Sequence, residues 1–290
     1  MLVQPECLAC FVRQAVDAAM LATDDPQLQR QVALEACRLV ADSRPDVTPV
    51  YVAMEINDLV QRMTQAGDFY AETRRQLNDQ AMALWPLLDK AFADSDDWVE
   101  QGVRLAIAGN ILDLGAVSRE HLADARQELE RCLSQPFARE DLAELREALH
   151  KAELVLYIGD NAGEIVFDKA FIGQISRRVE RVVFAVRGAP VINDITLADA
   201  EQVGMAEVAE VISSGFPGPG AELHLSSQEF RDLFAQADVV IAKGQGNYES
   251  LSGMEGPIYL LLQAKCRAIA RHIGVPIRSL LAMRASSTPR

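Results

Sequence analysis

The sequence predicts an α/β protein in which a helical N-terminal region precedes an α/β region built on a mainly parallel sheet. Two observations predict it. Apolar residues recur every three or four positions through about residue 117, the period of one helix face. After the break at Gln135-Pro136, four- to six-residue aliphatic runs alternate with helix-length amphipathic stretches, the pattern of parallel strands joined by crossover helices.

The first helical stripe is Leu8, Phe11, Val12, Ala15, Val16 and Ala19, ending at Thr23-Asp24-Asp25-Pro26. A second runs Leu28, Val32, Ala36, Leu39 and Val40. A third, after Pro45 and Pro49, runs Val52, Ile56, Leu59, Val60 and Met63. A fourth extends from Tyr70 through Leu77, Ala81, Leu84 and Leu88 to Phe92, with a kink expected at Pro86 because proline removes a helical donor. A Glu-rich helix is expected over 119–133. The strands read as Leu154–Ile158, Arg181–Val186, Glu207–Ile212, Val239–Ala242 and Ile258–Leu262, and the final Ala-Ser-Ser-Thr-Pro-Arg as a frayed tail. These textures divide the chain into domains 1–135 and 136–290.

With 290 residues and 49% hydrophobic content, the chain can bury substantial cores. A formal charge of -14 opposes binding to nucleic acid or an anionic membrane. A small anionic ligand therefore needs a metal or a local cation. No basic segment leads into an apolar core, and no run approaches a membrane span of about 20 residues, so the expected location is cytoplasmic. Five cysteines, at 7, 10, 37, 132 and 266, form an odd set that argues for reduced thiols rather than a disulfide framework. Cys7 and Cys10 form a C-x-x-C pair without the second pair that structural zinc sites use.

Ligands of parallel sheets bind where loops leave the carboxyl ends of strands. The first such loop is Gly159-Asp160-Asn161-Ala162-Gly163-Glu164. It carries hard oxygen donors for a divalent cation and leads into a helix N-terminus that favours an anion. Asp160 and Asn161 also suit a turn and helix cap. The second is Arg187-Gly188-Ala189-Pro190-Val191-Ile192-Asn193-Asp194, a second acid-amide pair. A cation between Asp160 and Asp194 would remove their repulsion, while Arg187 suits either bidentate phosphate binding or a surface ion pair capping the site. The third loop, Ser213 to Gly220, is either a closing loop or a plain connector. The fourth, Ala242-Lys243-Gly244-Gln245-Gly246-Asn247-Tyr248-Glu249-Ser250, offers Lys243 as a point charge for a phosphoryl group.

Several chemistries lack support. There is no G-x-x-x-x-G-K-[ST] and no G-x-G-x-x-G after the first strand, which disfavours nucleoside triphosphate and nicotinamide roles. There is no G-x-S-x-G elbow, and His121, His150, His224 and His272 stand in no catalytic context.

Tyr157-Ile-Gly-Asp-Asn-Ala-Gly-Glu164, Arg187-Gly-Ala-Pro-Val-Ile-Asn-Asp194 and Ala242-Lys-Gly-Gln-Gly-Asn-Tyr-Glu249 resemble signature segments of the metal-dependent damage-control phosphatases, formerly domain of unknown function eighty-nine. Ala108-Gly-Asn-Ile-Leu-Asp113 is similar to a further family segment. Pro5-Glu-Cys-Leu-Ala-Cys10 resembles the cysteine-bearing prokaryotic branch. The resemblance implies a helical N-terminal domain packed on a Rossmann-like α/β/α domain, with the active site in the cleft. It implies Asp160, Asn161 and Asp194 as ligands of a divalent manganese, magnesium, cobalt or nickel ion. It also implies that Lys243 binds phosphate and that Asn110 and Asp113 approach from the helical side. The branch motif suggests a shared function for Cys7, Cys10 and Cys266, of open chemistry.

The expectation is a phosphatase of small phosphorylated metabolites, such as sugar phosphates or phosphopantetheine-like compounds. Asp160, Asp194 and Lys243 are its catalytic residues, and Lys243, Arg187, Asn193, Glu164, Asn110 and Asp113 bind substrate. The competing readings are an S-adenosylmethionine-dependent carboxyl methyltransferase and a non-enzymatic metal or sugar-phosphate binding module. The physiological substrate and the oligomeric state are not legible.

Overall fold

The computed structural model describes residues 1–109, 129–131 and 133–287. Three helices open the chain: α1 (Pro5–Ala22), α2 (Pro26–Asp42) and α3 (Pro49–Thr64). Each begins with proline in its first turn, where the missing N–H costs nothing. Asp25 and Thr48 cap the second and third by accepting from Gln27 and Tyr51 N–H groups. Their apolar stripes meet in a core of their own, around Phe11, Ala15, Val32, Ala36, Ile56 and Val60.

The next helices are α4 (Ala71–Met82), α5 (Trp85–Ala93) and α6 (Trp98–Ala108). The expected single kinked helix from Tyr70 to Phe92 is therefore two helices, and Pro86 stands in the first turn of the second rather than inside a helix. Leu84, Leu88, Val103 and Ile107 of this segment pack into the same core as Tyr157, Phe167 and Phe184 of the sheet region.

The sheet has seven strands: β1 (Phe137–Glu140), β2 (Leu154–Ile158), β3 (Arg181–Val186), β4 (Glu210–Ser213), β5 (Val239–Lys243), β6 (Ile258–Gln263) and β7 (Leu280–Arg284). Their order is β1-β7-β6-β5-β2-β3-β4. Strands β2 to β6 pair in parallel, β7 runs antiparallel to β6, and β1 is parallel to β7. Intervening helices are α7 (Leu142–Lys151), α8 (Glu164–Ile175), α9 (Leu197–Gln202), α10 (Gln228–Gln236), α11 (Gly244–Leu251) and α12 (Arg267–Ile273). Side chains alternate between faces, as period two requires. Val155, Tyr157, Phe184 and Ile241 join one core, and Leu156, Ile158, Ala185 and Val240 the other.

The expected strand Glu207–Ile212 is corrected to Glu210–Ser213. Gly204, at φ 67°, starts a 3-10 turn over Met205–Glu207 that consumes those residues. At the expected frayed end, Ala285–Ser287 forms a 3-10 turn with Ala285 buried; residues 288–290 lie outside the described residues. Among the described residues no helix is long and apolar enough to cross a membrane.

Candidate active site

From β2 the chain proceeds to β3 and β4 on one side of the sheet, whereas β5 and β6 lie on the other side of β2. The adjacent strands β2 and β5 therefore form the topological switch point, the place where open α/β sheets take their ligands. Asp160 follows β2, and Lys243 ends β5.

A second device draws in the loop after β3. It folds back on the loop after β2 through an antiparallel bridge between Asn161 and Asp194. Ile195 N–H donates to the Asp160 carbonyl at 3.0 Å and Ala162 N–H to the Asn193 carbonyl at 2.9 Å. The two acid-amide pairs are thus fastened side by side by backbone bonds. On the β5 side, Asn247 donates to the Gly159 carbonyl at 3.1 Å and the Lys243 carbonyl at 2.7 Å. Gly244, at φ 78°, lies so close that a Cβ there would stand 1.8 Å from Asp160 Oδ2, which excludes any other residue from this approach.

Arg187 is 2% exposed and bridges the two carboxylates. Its Nε donates to Asp194 at 2.6 Å and one terminal nitrogen to Asp160 at 3.2 Å, while Nη1 has no partner. The ion pair is buried rather than on the surface, and two of the fork's nitrogens are already engaged. Lys243 is fully buried. Its Nζ donates to Asp168 at 2.9 Å and Glu164 at 3.3 Å, and Tyr157 donates its hydroxyl to the same Asp168 oxygen at 2.6 Å. Asn161 donates to Asp160 at 2.8 Å and Glu164 at 2.6 Å. Neither Asp160 nor Asn161 caps α8; Gly163 occupies that position at φ 80°. Its N–H goes to Asn78 Oδ1 at 2.7 Å, so part of the helix's anion-attracting end is already satisfied.

Desolvation governs the electrostatics. Burial, reinforced by Glu164 and Asp194, pushes the Asp160 carboxyl well above the usual range. Burial also raises Asp194, against the pull of Arg187. Burial lifts Asp168 to about 6, opposed by Lys243. Burial alone would lower the Lys243 ammonium, but Asp168 and Glu164 outweigh it and hold it above its ordinary value. Four buried carboxylates (Asp160, Glu164, Asp168, Asp194) thus face two buried cations (Arg187, Lys243), a formal excess of two negative charges.

The structure brings together Asp160, Asn161, Glu164, Arg187, Asp194 and Lys243, with Asn193 in the bridging loop. Asn110 and Asp113 lie outside the described residues; Gly109, just before them, packs against Glu164 Cα, where an added Cβ would stand 3.2 Å away. Cys7, Cys10 and Cys266 line one separate cavity. Among the described residues no group of three or more His, Cys, Asp or Glu side chains forms a ready-made metal cage. Sequence reasoning missed Asp168 and Tyr157, and also the support from α4. There, Arg74 pairs with Asp199 at 3.0 Å and with Asp68, and Asn78 donates to Asp199 at 3.1 Å. The available signal was a polar i, i+4 pair, Arg74 and Asn78, beside the apolar stripe of that helix.

Carboxylates, an amide and two cations gathered at a parallel-sheet switch point define the class: an α/β protein with a buried, charged site where such sheets take ligands. Comparison with known proteins gives the family. Residues 3–281 match the damage-control phosphatase ARMT1-like domain, and the chain belongs to that family. A damage-control phosphatase of Pyrococcus horikoshii is 33% identical over 287 residues, covering 98% of each chain. One of Archaeoglobus fulgidus is 33% identical over 288 residues, covering 97% of this chain and 99% of the other. The crystal structure of a DUF89 family protein from Pyrococcus horikoshii superposes with a TM-score of 0.92 at 33% identity, covering 98% of this chain and 99% of that one.

Proposed function

We propose that the protein is a metal-dependent phosphatase that hydrolyses phosphomonoesters of small metabolites. The reading is supported by its relatives, which are named damage-control phosphatases. The observation that carries it is the gathering of four buried carboxylates against two buried cations at the switch point, a formal excess of two negative charges that the protein alone relieves by raising Asp160, Asp168 and Asp194 toward their protonated forms. A divalent cation matches that excess, and the donors available to it are of the hard type that magnesium and manganese prefer.

Asp160, Asn161 and Asp194 are the residues that would hold it. A small dication takes one or two carboxylates and completes its shell with water and substrate phosphate, so two acids and an amide suffice for it. When bound, the ion supplies Lewis-acid polarisation of the phosphoryl group. The remaining work falls to the chain. Arg187 Nη1, the unpartnered donor beside both carboxylates, and Lys243 Nζ bind phosphoryl oxygens and balance the charge that spreads over them. Burial excludes competing water and strengthens both contacts. Asn161, held between Asp160 and Glu164, fixes the loop against movement as charge develops.

The test is phosphate release from p-nitrophenyl phosphate and a panel of sugar phosphates. It uses chelator-stripped protein restored separately with manganese, magnesium, cobalt or nickel. The expected result is release that requires metal and disappears in Asp160→Ala. Full activity of that variant, or metal binding with no turnover of any ester, would overturn the reading.

A further inference from the structure

A cavity of about 250 Å³ lies between the N-terminal helices and the loops that carry the proposed site. Cys7, Cys10, Phe11 and Gln14 of α1 contribute one wall. Ile192, Pro219 and Gly246, from the loops after β3, β4 and β5, contribute the other. Ile192 stands two positions before Asp194, and Gly246 two positions after Gly244, whose Cα abuts Asp160. The cavity thus borders the same loops that carry the charged groups.

Resting on the phosphatase reading, we propose that this cavity receives the alcohol portion of the phosphomonoester and selects small, partly apolar alcohols. Two further observations support it. Ile192 sits at φ 46°, a left-handed conformation that is costly for a β-branched residue and that concentrates at ligand-binding positions. The strain is held in place by Asp194 N–H donating to the Val191 carbonyl at 3.0 Å.

The wall chemistry is the second. Phe11, Ile192 and Pro219 offer apolar contact, and Gln14 offers an amide for a hydroxyl. Partial desolvation of the thiol groups, on a half-buried Cys7 and an exposed Cys10, pushes both above their ordinary value, so at neutral pH they are uncharged surface rather than nucleophiles. Glu6, Glu249 and Arg267 also line the cavity; Glu6 is paired with Arg271 and burial lifts Glu249 to about 7. The volume lies just below the range of roughly 300–1,000 Å³ typical of ligand sites, which suits a few carbons or a single ring.

The thiols are built-in reporters. In manganese-loaded protein, the iodoacetamide alkylation of Cys7 and Cys10 is followed by mass spectrometry with benzylphosphonate or inorganic phosphate present. Each is added at a concentration that inhibits turnover. The expected result is at least fivefold protection by benzylphosphonate and none by phosphate, with the exposed Cys37 unaffected by either. A Cys10→Phe variant, at an exposed helix position, is expected to lose at least tenfold more kcat/KM toward p-nitrophenyl phosphate than toward methyl phosphate. Equal protection by both anions, or equal losses toward both esters in a parent protein that turns them over, would overturn the cavity assignment alone. Absence of turnover of either ester by the parent with all four metals would overturn the phosphatase reading and the cavity assignment with it.

Discussion

Arg187 and Lys243 stand on opposite sides of Asp160, equally buried and each shared by two carboxylates, yet they are held differently. Arg187 is anchored by loop residues, Asp160 and Asp194, and keeps one nitrogen without a partner. Lys243 is anchored by Glu164 and Asp168, one helical turn apart on α8, with Tyr157 of β2 behind Asp168. The arginine belongs to the reactive loops, whereas the lysine also ties β5 to α8. A group proposed to bind phosphate that is also a structural tie cannot be removed without cost to the fold.

The largest expected effect tests that distinction. Lys243→Met leaves Glu164 and Asp168 buried without their cation, which should cost about 3–5 kcal/mol. Urea denaturation at pH 7 measures it, and adding Asp168→Asn should recover part of the loss. A variant as stable as the parent would show that the lysine is not a structural tie. Next, Gly244→Ala drives a methyl into Asp160 and imposes a left-handed φ on alanine. It should cost about 1–3 kcal/mol and abolish metal-dependent phosphate release, measured on the same preparation.

The smallest effect is a pH dependence. Asp168 titrates near 6 in the folded protein against an ordinary 3.8, so the folded state holds its proton more tightly. The stability it contributes is complete below about pH 4 and lost as pH rises through 6. Asp168→Asn should therefore gain stability relative to the parent between pH 4 and 6, whatever its offset. Parallel pH profiles of unfolding free energy would refute the assignment.

The buried β7, Leu280–Arg284, was passed over, but strands β2, β3, β5 and β6 were legible because burial on both faces requires continuous aliphatic runs; β2 and β3 begin and end where the sequence places them. The edge was not. Phe137–Glu140 is short, polar and mostly exposed, and its membership in the sheet depends on pairing with β7, 140 residues away in the chain, which no local pattern encodes. At the site, Asp160, Asn161, Asp194 and Lys243 were visible because strand ends are where ligands bind. Asp168 was hidden inside the otherwise apolar α8, where its carboxylate makes sense only once Lys243 is beside it. Arg74, Asn78 and Asp199 are joined across more than 100 residues of sequence, and helix periodicity says nothing about such polar partners.

The bridge between Asn161 and Asp194 makes the loops after β2 and β3 a single inherited part. The bonds between them are backbone to backbone, Ala162 N–H to the Asn193 carbonyl and Ile195 N–H to the Asp160 carbonyl, so what one loop demands of the other is a matching length and path rather than a particular side chain. Recombination between relatives at the boundary separating those loops should yield folded chains with misplaced acids, so altered specificity is best sought by exchanging both loops together.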